Sequence, residues 1–126
     1  MLDLAYEAMR QAYTPYSHFQ VGACLRGVSG KYYLGCNIEN ASYTPTNCAE
    51  RTAVFKAVSE GERTFDGIVI VCSGKSPASP CGFCRQVLRE FCRSDMPVVF
   101  ADADRNFVES TLGELLPHSF GPEDLL

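Results

Sequence analysis

Five segments of strand character interleaved with four of helical character predict an α/β fold, a three-layer α/β/α sandwich around a five-stranded mixed sheet. Three observations carry this expectation. The apolar periodicity alternates between helix and strand in the order α-β-β-α-β-α-β-β-α. Residues 67–72 are a continuous apolar run, which suits a central strand covered on both faces. The connection from Ala101 to Phe107 is only about five residues, too short for a parallel crossover, so the last two strands should be antiparallel.

Taken in order, residues 2–13 read as a helix with Leu2, Tyr6, Met9 and Tyr13 on one stripe, ended by Pro15. Residues 20–26 and 31–36 read as strands joined at Ser29-Gly30 into a hairpin. Residues 37–47 are polar and irregular. A helix follows from about Cys48 to Glu60, with Ala53, Val54, Ala57 and Val58 on its apolar side and Gly61 just past its end. After the strand at 67–72, Ser79 and Pro80 read as the cap and first residue of a helix running from about Cys81 to Arg93. Pro97 to Ala101 is a buried strand and Phe107-Val108 a short last one. Thr111 and Glu114 form a capping box for a final short helix ending near Leu116-Pro117.

The chain has 126 residues, which fits a single domain spanning 1–126. No repeat or flexible linker divides it. Eleven basic against fifteen acidic residues leave a net charge of −4, which argues against a nucleic-acid binder and against an anionic membrane surface as partner. No stretch approaches the ~20 apolar residues that span a bilayer. The start Met1-Leu2-Asp3-Leu4 has neither a basic region nor a long apolar one, so it is not read as a signal peptide and the expected location is cytoplasmic. Seven cysteines in a reducing compartment are expected to be core residues, metal ligands or nucleophiles rather than disulfides.

The chemistry concentrates at two helix starts, Asn47-Cys48-Ala49-Glu50-Arg51 and Pro80-Cys81-Gly82-Phe83-Cys84-Arg85-Gln86. Cys81 and Cys84 have the C-x₂-C spacing that lets two sulfurs converge on one metal, and Cys48 supplies a third thiolate. Unpaired N–H groups at a helix N-terminus favour the thiolate, the form that binds metal. Three protein ligands leave the fourth tetrahedral position of a zinc ion for water, the mark of a catalytic site. Glu50, two residues after Cys48, is placed to shuttle protons rather than to bind the metal. Arg51 can donate to thiolate sulfur and offset the negative charge of three thiolates on Zn²⁺. Singly, each residue has a plainer reading: Glu50 as the acid of a capping box begun by Asn47, Cys48 as a small core residue, the C-x₂-C pair as a redox couple. Their joint occurrence favours the metal.

Cys48-Ala49-Glu50 followed by Pro80-Cys81-Gly82-Phe83-Cys84 resembles the [HC]-x-E…P-C-x-x-C signature of the zinc-dependent nucleoside and nucleotide deaminases. Cys48 followed by Ala-Glu-Arg, the extension Arg85-Gln86, Tyr16-Ser17-x-Phe19-x-Val21-Gly22-Ala23 and Gly35-Cys36-Asn37-Ile38-Glu39-Asn40-Ala41-Ser42-Tyr43 are similar to the small homotetrameric cytidine deaminases, over nearly the whole chain. The resemblance implies one Zn²⁺ per chain and hydrolytic deamination of cytidine and deoxycytidine to uridine and deoxyuridine plus ammonia, in pyrimidine salvage. It implies that Asn37 and Glu39 hold the ribose hydroxyls and that Phe19 packs on the nucleoside. The Ala49 N–H and the Ser79 carbonyl would read the pyrimidine edge. Tyr43 and Phe120 would enter a neighbouring subunit's site in a homo-oligomer, a tetramer. Two other readings remain open: a deaminase of another cytosine-containing small molecule, such as an antibiotic or nucleotide, and a structural zinc module. The latter needs a fourth ligand such as Cys36, Cys24 or His18.

Overall fold

The computed structural model describes residues 1–126. Its elements are α1 (Leu2–Met9), β1 (Val21–Gly27), β2 (Tyr32–Cys36), α2 (Ala49–Ser59), β3 (Phe65–Cys72), α3 (Gly82–Phe91), β4 (Pro97–Ala101), β5 (Phe107–Thr111) and α4 (Leu112–Leu115), with a 3-10 turn at Pro122–Asp124. The five strands form one sheet in the order β2-β1-β3-β4-β5. Strands β3 and β4 run parallel and every other neighbouring pair is antiparallel, so the sheet is mixed as expected and the β4–β5 connection behaves as its length requires.

Side-chain alternation along the central strands builds two cores. Ala23, Leu25, Ile68 and Ile70 join Ala53, Val54 and Ala57 of α2 and Leu88 of α3 on one face. Cys24, Val69 and Val71 join Ala5 of α1 on the other. This places α1 on one side of the sheet and α2 and α3 on the opposite side, the three-layer arrangement. Both faces of β3 are covered, which is why its sequence lacks a polar face.

Strand β3 starts at Phe65, two residues before the expected 67, and α3 ends at Phe91 rather than Arg93. Three further differences from the sequence expectation have a tertiary reason. Helix α1 stops at Met9 rather than at 13, because Tyr13 leaves the helix to pair with the segment after β2. Its N–H donates to the Asn37 carbonyl at 3.0 Å, and its own carbonyl accepts from the Glu39 N–H at 2.9 Å. Strand β5 runs to Thr111, three residues beyond Val108; its polar end Glu109-Ser110-Thr111 pairs with Val99, Val98 and Pro97 on an edge that tolerates polarity. The residue capping α3 is Cys81, not Ser79, whose hydroxyl accepts instead from Arg85. The Thr111 cap of α4 is present, its hydroxyl accepting from the Glu114 N–H.

Helix α2 can lie close on β2 only because residue 35 has no side chain. A Cβ at Gly35 would fall on the Ala49 carbonyl oxygen and 2.6 Å from the Ala53 nitrogen, both main-chain atoms that cannot swing away. Gly35→Ala is therefore expected to cost about 3 kcal/mol of stability, as overpacking against fixed backbone does, readable by urea denaturation.

The β4–β5 turn is organised by one buried carboxylate. Asp102 is 1% exposed and accepts from the Asp104 N–H at 2.8 Å, the Asn106 N–H at 3.0 Å and the Asn106 side-chain amide at 3.1 Å. Burial opposes the charged form, but the donors from Asn106 and Asp104 outweigh it and hold the carboxyl below its usual range. Stability linked to Asp102 is thus fully present above the ordinary carboxylate pKa and is lost as pH falls through its lowered value. Acid unfolding of the parent chain should show this loss below about pH 4, and Asp102→Asn should flatten that part of the curve.

Candidate active site

The two segments singled out in the sequence meet at the N-terminal ends of α2 and α3. Cys48 caps α2 and Cys81 caps α3, both in extended backbone conformation, and Cys84 follows in the first turn of α3. The Cys48 and Cys81 sulfurs lie 3.7 Å apart and those of Cys81 and Cys84 3.5 Å apart. All three sulfurs lie within 4.8 Å of one another. Sulfurs bound tetrahedrally at about 2.3 Å from one zinc ion sit about 3.8 Å from each other, so the spacing suits that ion. Cys24, Cys36 and His18 are not members of this group. No disulfide is formed, and all seven cysteines are free.

The electrostatics around the sulfurs favour a bound cation. The Cys48 thiol is pulled down, first by a hydrogen bond from the Cys84 thiol and further by Arg51 and Cys81. Cys84, as the donor to Cys48 and a buried group, is pushed up correspondingly. A divalent cation bound among them would hold the sulfurs as thiolates. The Arg51 Nη2 donates to the Cys48 sulfur at 3.4 Å, and its guanidinium lies over the Phe83 ring at 5.8 Å.

Glu50 lies in the first turn of α2 and is 4% exposed. Burial raises its carboxyl above the usual range, and negative charge on Cys48 adds to the rise, against pulls from Cys84 and Arg51. The capping-box alternative does not hold, because α2 has no side-chain cap and the Asn47 amide donates to the Thr52 hydroxyl at 3.0 Å. A buried acid with a raised pKa beside a cluster of three thiols is the constellation expected of a catalytic site.

Other candidate residues fall into separate groups. Asn37 and Glu39 follow β2, and both already hold the loop before β1. The Asn37 side chain accepts from the Val21 N–H at 2.9 Å and donates to the Phe19 carbonyl at 2.8 Å. Glu39 accepts from the Tyr16 and Ser17 N–H groups and from the Ser17 hydroxyl, which holds its carboxyl below the usual range. Glu39 and Tyr43 line a cavity of about 420 Å³ with Tyr16, Ser17, Asn40 and Thr46. The Phe19 ring packs beside Gly74. Ala49 is buried as the first residue of α2, and Ser79 is exposed just before Pro80. Tyr43 and Phe120 are 75% and 58% exposed and bring no side chain to the sulfurs of their own chain.

A larger cleft of about 590 Å³, with Arg89, Cys92, Leu112 and His118 in its walls, contains none of these residues. Its one thiol, Cys92, is pushed up to about 12 by burial and is inert near neutral pH. Sequence spacing gives no role to Arg85, whose guanidinium reaches three acceptors around the Cys81 loop. The hints are its place in the Arg85-Gln86 extension of the cysteine motif and its position four residues after Cys81, on the same helical face.

The comparisons agree with this geometry. The cytidine and deoxycytidylate deaminase zinc-binding region matches residues 1–101. A cytidine deaminase of Sporosarcina psychrophila is 52% identical over 119 residues, 94% of this chain and 88% of the relative. One from Halalkalibacterium halodurans is 50% identical over 125 residues, covering 99% and 95%. Among solved structures, a cytidine deaminase from Burkholderia pseudomallei superposes with a TM-score of 0.91 at 43% identity, over 94% of this chain and 95% of that one. With three convergent sulfurs and a buried acid in the matched region, the chain belongs to the cytidine and deoxycytidylate deaminase family, whose defining region binds zinc.

Proposed function

We propose that this chain hydrolyses cytidine and deoxycytidine to uridine and deoxyuridine with release of ammonia. The observation that carries the reading is the buried Glu50 beside the three gathered sulfurs. The relatives named cytidine deaminase support it.

Cys48, Cys81 and Cys84 would hold one Zn²⁺. When bound, the ion supplies a Lewis acid that makes water available as hydroxide near neutral pH. Arg51 keeps the Cys48 sulfur in its anionic form and limits the charge that three thiolates accumulate. Glu50 does the proton work. Its carboxyl, raised above the usual range by burial, is placed to accept a proton and to return it. It delivers one proton to N3 of the pyrimidine, which makes C4 electrophilic, and a second to the exocyclic amine, which departs as ammonia. Addition of water and loss of ammonia balance the reaction. The Ala49 N–H and the Ser79 carbonyl orient the base, while Phe19 packs against the nucleoside. Asn37 and Glu39 face the ribose hydroxyls with an amide and a carboxylate that the loop at 16–21 holds in place. Such partners reject a sugar that cannot satisfy them.

The reading extends to the assembly. The chain acts as one domain, in the cytoplasm, in pyrimidine salvage, and forms a homotetramer in which Tyr43 and Phe120 reach a neighbour's site. The large exposed rings of Phe83 and Tyr43, each 75% exposed, and of Phe120 support burial between copies. No helix is long and apolar enough to cross a membrane.

The test is an ultraviolet assay on cytidine, deoxycytidine, cytosine and cytidine monophosphate. Turnover of both nucleosides, with the free base and the monophosphate poor, is the expected result. Failure on both nucleosides would overturn the proposal, and preference for the monophosphate would reassign the substrate.

A further inference from the structure

We propose that Arg85 is the positioning residue that fixes the loop carrying Ser79 and Cys81, and so sets both zinc retention and nucleoside affinity; this rests on the deaminase reading. Arg85 lies in α3, one turn past Cys81. Its guanidinium donates from Nε to the Pro80 carbonyl at 2.7 Å, from Nη1 to the Leu115 carbonyl at 2.6 Å and from Nη2 to the Ser79 hydroxyl at 2.5 Å. All three nitrogens of one rigid plane are used, each on a different residue.

The position of these acceptors gives the contact its consequence. The Pro80 carbonyl belongs to the peptide whose nitrogen is that of Cys81, so holding that oxygen holds the peptide plane entering the Cys81 cap. Cys81 is exposed and its own side chain makes no cap bond, so its place depends on this peptide and on the helix behind it. The Ser79 contact fixes the residue whose carbonyl is to read the pyrimidine. The Leu115 contact ties the loop to α4 across the end of α3, giving the fork a third anchor. A lysine offers a single point donor and cannot reach three acceptors in one plane.

The experiment compares zinc-loaded parent, Arg85→Lys, Arg85→Gln, Ser79→Ala and Arg89→Ala chains. The readouts are zinc transfer to a chromogenic chelator well below the melting temperature, KM and kcat for cytidine, and the melting temperature. Arg89 donates to the Ser119 hydroxyl at 2.8 Å and also pairs with Glu123, so Arg89→Ala loosens the C-terminal segment without touching residues 79–80. Both Arg85 variants should release zinc about tenfold faster and show a KM raised about tenfold, with kcat less affected and no rescue by Lys. Ser79→Ala should shift both readouts in the same direction by a smaller factor, and Arg89→Ala should leave zinc release at the parent rate.

Parent-like release and KM in the Arg85 variants overturn the proposal. So does Arg89→Ala matching their zinc release at an equal loss of melting temperature. If the Arg85 variants do not fold, parent-like release and KM in Ser79→Ala overturn it. A parent chain that neither holds zinc nor turns over cytidine instead removes the deaminase reading itself.

Discussion

Glu50→Gln should lower kcat for cytidine by about 10²–10⁴-fold, the range for loss of a general acid–base group, while zinc content stays that of the parent. The substitution keeps size and shape in a side chain that is only 4% exposed, so its buried packing is preserved. What changes is the ability to hold and release a proton. Glutamine can still hydrogen-bond to N3 of the base but cannot protonate it, nor carry the second proton to the departing amine. KM should therefore move far less than kcat, the pattern of an interaction used in the transition state. Glu50 is also not one of the three clustered sulfur ligands, so metal analysis separates a proton-transfer defect from a metal defect. Near-parent turnover in this variant would remove Glu50 from the chemistry.

Cys81→Ala should abolish activity by a different route, with zinc affinity falling by at least about 100-fold. Cys81 is the more informative ligand to remove because it is exposed, whereas Cys84 is fully buried and its loss would also leave a cavity. The remaining sulfurs, Cys48 and Cys84, would present two donors to the ion, and the metal would exchange freely. A linked consequence is thermal. Ligand binding to the native state raises stability by mass action, so a chelator should lower the melting temperature of the parent and leave that of Cys81→Ala unchanged. Stoichiometric zinc in Cys81→Ala would break the ligand assignment.

Both predictions concern residues legible in the sequence, and the reason is local. Cys48, Glu50, Cys81 and Cys84 all sit within one turn of a helix start, where spacing alone sets which side chains share a face. The central place of β3 and the antiparallel β4–β5 pair were legible for a similar reason, through a continuous apolar run and a short connection. Features decided by distant partners were not. The end of α1 depends on Tyr13 pairing with residues after β2, and no periodicity in 2–13 carries that information. Ser79 has the chemistry of a helix cap, yet its hydroxyl is taken by Arg85, and Cys81 caps α3 instead. The buried role of Asp102 also escaped, since Ala101-Asp102-Ala103-Asp104 reads as an ordinary polar turn. Asn37 and Glu39 show a mixed outcome. Their types suit a sugar, but their first partners are main-chain groups at 16–21, so the same side chains that would meet the ribose also build the loop beside it.

The most direct measurement is X-ray absorption at the zinc edge of the purified chain, read with the zinc content per chain. Three sulfurs at about 2.3 Å and one lighter atom at about 2.0 Å, with close to one zinc per chain, is the predicted result. Four sulfurs, with Cys24 or Cys36 drawn in, or a chain that binds no zinc, would contradict it.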